Sequence, residues 1–285
     1  MSTPHNPIQN RLLAELELEE YHRLSPYLEL VAMARGEVIH QAGGKMNHVY
    51  FPTTATIAIE YLLEDGGTSE ISSIGSEGLL GVSLFMGGVN SNGRAVVQLA
   101  GHAYRLGAAR LLDEFYHKGP LLRLLLRYTQ VRLTQISQLA LCNSHHATEQ
   151  RLCRWLLQTL DRSSSDEVEI TQERIAAILG VRREAITEAA GKLQDLGIIR
   201  WWRGHVAVLN RPGLHAHVCE CYDVVRAATS VLLPDVAAAQ SKVRHPWRAR
   251  NASAPRRTGS SERRQAERRS EDASHQDGQA ALAFV

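Results

Sequence analysis

The chain has 285 residues, 44% of them hydrophobic, enough for two domains and a tail. Net charge is only +2, and the last 45 residues carry ten Lys/Arg against five Asp/Glu, so the first 240 hold −3. A globally basic nucleic-acid binder is therefore excluded, and any such contact must come from a local patch.

No run of 18 apolar residues occurs, and the N-terminus MSTPHNPIQNRLLAELELEEYHRL lacks a basic start followed by an apolar segment. Neither a membrane span nor a secretory signal is expected. The four cysteines, Cys142, Cys153, Cys219 and Cys221, sit in helix-like segments, which points to a reducing cytoplasm rather than a disulfide framework.

Leu12, Leu13, Leu16 and Tyr21 recur near helical spacing, so residues 8–24 predict a short helix. From about 28 to 107 the pattern changes to short apolar runs split by turn residues, with Asp65-Gly66-Gly67 as a hairpin signal. Many short strands with glycine turns predict a sandwich or roll of antiparallel strands. GSEGLLGVSLFMGG, residues 75–88, predicts a short helix among loops. A long helix then runs from Pro120 to about Asn143 with two apolar stripes. Leu122, Leu125, Thr129, Leu133, Ile136 and Ala140 form one; Leu124, Tyr128 and Val131 start the other. Two stripes need two partners: the chain's own strand domain, and the same helix of a second subunit.

Residues 145–160 predict an amphipathic helix, 161–167 a polar loop, and VEI a strand. TQERIAAILG is a further helix that turns at Gly180 into a helix over 183–196. IIRWWRGHVAVLN makes two strands around Arg203-Gly204, and RPGLHAHVCECYDVVRAATSVLL one final helix. Beyond Pro234 apolar content almost vanishes, which predicts a disordered basic tail. Such a tail either adds sequence-independent phosphate attraction or is a solvated extension.

Helix, tight turn, helix and hairpin follow in the order of a winged helix-turn-helix, whose second helix offers its N-terminal residues to base edges. Ile186, Ala189, Ala190 and Leu193 share one face and complete a small core with Ile175, Ile178 and Leu179. Ala189, Ala190 and Gly191 keep that face thin for a close helix crossing. Glu184, Thr187, Glu188 and Asp195 point away, with Arg182 and Arg183 at the N-terminal end. Arg183 can donate twice to guanine O6 and N7, and Glu184 can accept from cytosine N4. Thr171, Gln172 and Lys192 can contact phosphates, as can Arg203 and His205 on the wing.

At these residues the chain resembles the Crp/Fnr transcription regulators, over roughly residues 10–230. LEDGGTSEISSIGSEGLLG and GRAVVQLAGHAYRL resemble that family's β-roll, and residues 120–143 its dimerisation helix. TQERIAAILGVRREAITEAAGKLQDLGIIR with RGHVAVLNRPGL resembles its winged helix-turn-helix, the most specific match. The implied fold is α+β. It has an antiparallel, jelly-roll-like sensory β-roll (1–118), a dimerisation helix (119–144), a C-terminal winged helix-turn-helix (145–232) and a basic tail (233–285). The implied function is a homodimer on near-palindromic double-stranded DNA, with RNA polymerase as a further partner and no membrane. Arg183, Glu184 and Glu188 fall where the family reads bases. Glu188 departs from the basic residue frequent there, and its repulsion from phosphates implies a different target site.

The resemblance also brings Glu77, in GSEG, and Arg94, in GRAVV, to the positions nearest the family's ribose and cyclic-phosphate ligands. The stretch between them is long, and Ala95 lacks the expected hydroxyl, so a cyclic nucleotide is disfavoured. No iron–sulfur cluster is expected: the resemblance implies several thiolates, most of them near the N-terminus, and the first cysteine here is Cys142. In HAHVCEC, Cys219 and Cys221 on a helix would point about 200° apart. His217 and Cys221 would share a face, the weak case for a metal, and His145-His146 reads as a capping or packing feature. No phosphate loop, nucleophile elbow or zinc-protease motif is present, so no enzyme is expected. The rival reading is a sensor or interaction protein with a degenerate winged helix.

Overall fold

A computed structural model describes residues 5–62, 64, 68–88, 91, 93–117, 119–162 and 165–233. The Asp65-Gly66-Gly67 turn and the basic tail lie outside the described residues.

The single helix predicted over residues 8–24 is instead two, α1 (Arg11–Ala14) and α2 (Leu18–Leu24). Asn10 sets where the first of them starts. Its side-chain oxygen accepts from the N–H groups of Leu12 and Leu13, so it caps α1 rather than continuing a helix through it. The same buried side chain donates to the carbonyls of Pro52 and Gly78, at 2.9 and 2.8 Å, tying the N-terminal segment to the strand domain.

That domain is two antiparallel sheets. β1 (Glu29–Met33), β7 (Gly101–Gly107) and β3 (His48–Pro52) form one, in that order. β2 (Val38–His40), β6 (Arg94–Leu99), β4 (Thr56–Leu62) and β5 (Thr68–Ile74) form the other. Met33, Ile57, Ile74, Ala95, Val97 and Ala103 fill the space between them. Alternation along the strands sends Glu60, Glu70, Arg94, Val96 and Gln98 to the outer face of the larger sheet. α3 (Val82–Phe85) and α4 (Ala108–Tyr116) close the domain's other side.

α5 (Pro120–His145) is the long helix. Leu124, Leu125, Tyr128 and Val131 are buried against the strand domain. The predicted Leu122–Ala140 stripe is divided along its length: Leu125 and Thr129 are buried, whereas Leu133, Ile136 and Ala140 are exposed. Leu126, Leu133, Ile136 and Leu141 are each at least 40% exposed.

α6 (Thr148–Leu160), α7 (Gln172–Leu179) and α8 (Arg183–Asp195) surround the C-terminal core. β8 (Glu167–Glu169), β10 (His205–Val208) and β9 (Ile199–Trp202) make one three-stranded sheet, so the predicted isolated strand joins the hairpin. The expected core is present: Ile175, Ile178, Leu179, Ile186, Ala189, Ala190 and Leu193 are all buried together. Gly191 is a correction. A Cβ built there meets nothing within 4 Å, so the close crossing depends on the alanines alone.

The single final helix is also corrected, to α9 (Arg211–Ala216) and α10 (Cys221–Leu232). Cys219 and Cys221 are both buried against Cys142. Two residues set about 200° apart on a helix cannot both face one point, so the helix breaks between them and α9.

Candidate nucleic-acid interface

The turn between α7 and α8 is set by Gly180, whose φ of +61° is the left-handed C-cap conformation. Thr171 caps the start of α7 by accepting from the Arg174 N–H at 3.2 Å. Gln172 reaches across: its Oε1 accepts from the Thr187 hydroxyl at 2.8 Å, locking the two helices at their solvent-facing edge. The wing turn places Arg203 at φ +40° and Gly204 at φ +83°. The Gly204 carbonyl accepts from Ile170 N–H at 2.7 Å, which pins the wing to the start of α7.

The result is an open groove of about 510 Å³ lined by Thr171, Gln172, Glu173, Arg183, Trp201, Trp202, Arg203 and Gly204. Four predicted phosphate or base contacts, Thr171, Gln172, Arg183 and Arg203, therefore converge on one concave strip. Arg182 and Glu184 flank Arg183 on the exposed first turn of α8. Arg183 has Glu173 as a loose partner at 4.0 Å, which leaves its guanidinium reachable.

Glu188 and Lys192 stand one turn further along and pair with each other at 2.9 Å. That hydrogen bond lowers the Glu188 pKa and raises that of Lys192. The pairing answers the charge problem Glu188 posed, since its carboxylate is matched on its own helix. His205 stacks on Trp202 at 5.8 Å, and the Arg200 guanidinium lies over the same ring at 4.8 Å. Sequence reasoning missed Arg200 and Trp202. Alternation in IIRWWRGHV, which puts them on one side of the wing strand, was the available signal.

The two effector candidates are not brought together, and they line separate cavities. Glu77 is buried beside α5, where its Oε1 accepts from Arg162 at 2.8 Å and from Gly75 N–H at 3.2 Å. Burial alone would raise its pKa, but Arg162, backbone N–H groups and Arg11 outweigh burial and hold it below the ordinary carboxylate range. Arg94 instead forks onto Glu60, its Nε at 3.1 Å and its second nitrogen at 2.9 Å. Glu60 also pairs with Arg174 of α7, so one buried carboxylate joins the strand domain to the helix-turn-helix. Around it lies a cavity of about 410 Å³ lined by Arg35, Glu60, Arg94, Gln98, Trp155 and Arg174, among others.

Residues 150–217 match the Crp-like helix-turn-helix domain family. The chain carries a Crp-like helix-turn-helix domain on a Crp/Fnr-type fold. FixK2 from Bradyrhizobium japonicum aligns over 67% of this chain and 98% of its own, with a TM-score of 0.60 at 17% identity. TTHB099 of Thermus thermophilus, a transcriptional regulator of the CRP family, covers 66% of this chain and 95% of its own at TM-score 0.55 and 18% identity. The c-di-GMP-responsive global regulator CLP of Xanthomonas campestris covers 67% and 99% at TM-score 0.54 and 14% identity. No curated protein matches the sequence of this chain. Nothing in these likenesses supports the rival reading of a degenerate winged helix. Among the described residues, no helix is long and apolar enough to cross a membrane.

Proposed function

We infer that the protein is a sequence-specific, DNA-binding transcription regulator of Crp/Fnr type. The observation that carries this reading is the convergence of Thr171, Gln172, Arg183 and Arg203 on one groove inside the Crp-like domain. Arg183 is the base reader: an exposed guanidinium on the first turn of α8 donates bidentately to guanine O6 and N7. Glu184 accepts from cytosine N4, and Thr171, Gln172, Arg182 and Arg203 hold phosphates. Lys192, matched to Glu188, contributes less cationic charge than its position suggests.

The functional unit is a homodimer. Leu126, Leu133, Ile136 and Leu141 leave an apolar stripe of α5 exposed, and the same stripe of a second copy would cover it. A two-fold dimer requires half-sites about one helical turn apart, hence a near-palindromic site. Such a protein works in the cytoplasm, with RNA polymerase as the partner through which binding becomes regulation. No enzymatic step is assigned.

No cyclic nucleotide is assigned either, because Glu77 and Arg94 are engaged by Arg162 and Glu60. The 410 Å³ cavity is the better place for an input. A small anion entering it would compete with Glu60 for Arg94 and Arg174, and so loosen α7 from the strand domain. Selection of bound sequences from random duplex DNA, without added ligand, tests the reading. Enrichment of a palindrome supports it, and no enrichment with or without small anions contradicts it.

A further inference from the structure

Away from the reading head, the protein gathers three of its four cysteines and one histidine at a single point. Cys142 comes from the last turn of α5 and His146 from just beyond it, while Cys219 lies in the break before α10 and Cys221 opens α10. Their ligand atoms all lie within 4.8 Å of one another. Cys142 Sγ is 3.6 Å from Cys219 Sγ, and Cys221 Sγ is 3.4 Å from His146 Nδ1. With a zinc–sulfur bond of about 2.3 Å, the edge of a tetrahedral site is about 3.8 Å, close to these separations.

We propose that Cys142, His146, Cys219 and Cys221 bind one zinc(II) ion that fastens the end of α5 to the start of α10. Four protein ligands make a closed, structural site with no open position for catalysis. The imidazole is already set for it. Its Nε2 lies 3.2 Å from Glu220 Oε1, which fixes the proton there and leaves the Nδ1 lone pair facing the thiols. Gln138 Nε2 is 3.4 Å from Cys221 Sγ and donates to it. Zinc displaces the three thiol protons, so the loaded site carries a net −1. Arg151 and Arg154 act electrostatically on Cys142, and each keeps a buried Nε–H with no acceptor. They are the cations that would balance the site.

Two other uses of the cluster fit less well. A Cys142–Cys219 disulfide would leave Cys221, His146 and Glu220 without a part. In an iron–sulfur cluster, thiolates on separate irons would stand farther apart than these. The break in the C-terminal helix has its account here too, since a C-x-C pair can share an ion only when the backbone is not helical.

The test uses the full chain, purified without a histidine tag and kept reduced. Elemental analysis is expected to give one zinc per chain. After removal of zinc, titration with cobalt(II) is expected to produce intense tetrahedral thiolate bands saturating at one equivalent and abolished by excess zinc. Cys221→Ser and His146→Ala should lose the second pattern, and Cys153→Ser, a thiol outside the cluster, should keep it. The wild-type chain carries the decision, so a variant that fails to fold does not rescue the idea. Folded, reduced wild type that gives no tetrahedral cobalt spectrum overturns it, as does isolation of the native chain with a Cys142–Cys219 disulfide. Neither result bears on DNA reading, which the selection experiment decides separately.

Discussion

Gly78 shows how a single residue fixes a larger element. A Cβ built there would stand 2.2 Å from the Tyr128 hydroxyl. That hydroxyl donates to the Leu79 carbonyl and accepts from the Leu79 N–H, each at 3.1 Å, which seats α5 on the GSEG loop. Gly78→Ala is expected to expel the ring and cost about 3 kcal/mol or more, seen as a lower denaturant midpoint. An unchanged midpoint would show that the loop simply shifts. Glu70 makes a pH-dependent case. Burial on the outer face of the sheet raises its pKa from 4.5 to about 8, against the pull of Arg174 and Arg162. Between those values the unfolded chain ionises while the folded one keeps its proton. Stability should therefore be fullest below pH 4.5 as far as this group is concerned, and fall as pH rises towards about 8. Glu70→Gln keeps an acceptor for the Gln98 amide, which donates to Glu70 at 2.7 Å, and removes the charge. Melting followed from pH 5 to 8.5 should lose part of its slope and gain about 1–3 kcal/mol at the alkaline end. A parallel profile would contradict the assignment.

At the scale of elements, the exposed stripe of α5 separates a dimer helix from a helix that serves one subunit. Leu133 is 53% exposed and belongs to none of the buried cores. Leu133→Lys is expected to leave the fold intact, shift sedimentation from dimer to monomer, and weaken binding to a palindrome by at least tenfold. A dimeric Leu133→Lys protein would place the interface elsewhere. The elements themselves were legible in unequal measure. Helical periodicity located α5, α7 and α8, because each carries apolar residues at steps of three and four along its length. It misjudged two helix boundaries: the start of α1, which Asn10 caps, and the C-terminal helix, which is interrupted ahead of Cys219 and Cys221. In both cases the decisive partner is far away in sequence, Pro52 and Gly78 for the first and Cys142 for the second. The engagement of Glu77 and Arg94 with other side chains was illegible for the same reason. Their partners, Arg162 and Glu60, are 85 and 34 residues distant, out of reach of any spacing argument.

Taken whole, the molecule places its larger strand sheet and its helix-turn-helix in direct polar contact. Arg174 of α7 pairs with Glu60 of β4, Arg162 bonds Glu77 and Ser73, and Arg132 of α5 bonds Ser72 and Ser73. Charged and hydroxyl contacts of this kind can exchange for water or an anion, which fits the input proposed at the cavity around Glu60. The groove at this same, N-terminal end of α7 is where that input would be read. Arg183 is the residue on which the account rests, so the most direct measurement is its effect on sequence preference. Binding of wild type and Arg183→Ala to the selected palindrome, and to every single-base variant of one half-site, should be compared at fixed salt. The expected result is a loss of about 1–3 kcal/mol on the best site, with preference relaxed at one base pair per half-site and binding to unrelated duplex nearly unchanged. An equal loss on every sequence, or no loss at all, would contradict the assignment of Arg183 as the base reader.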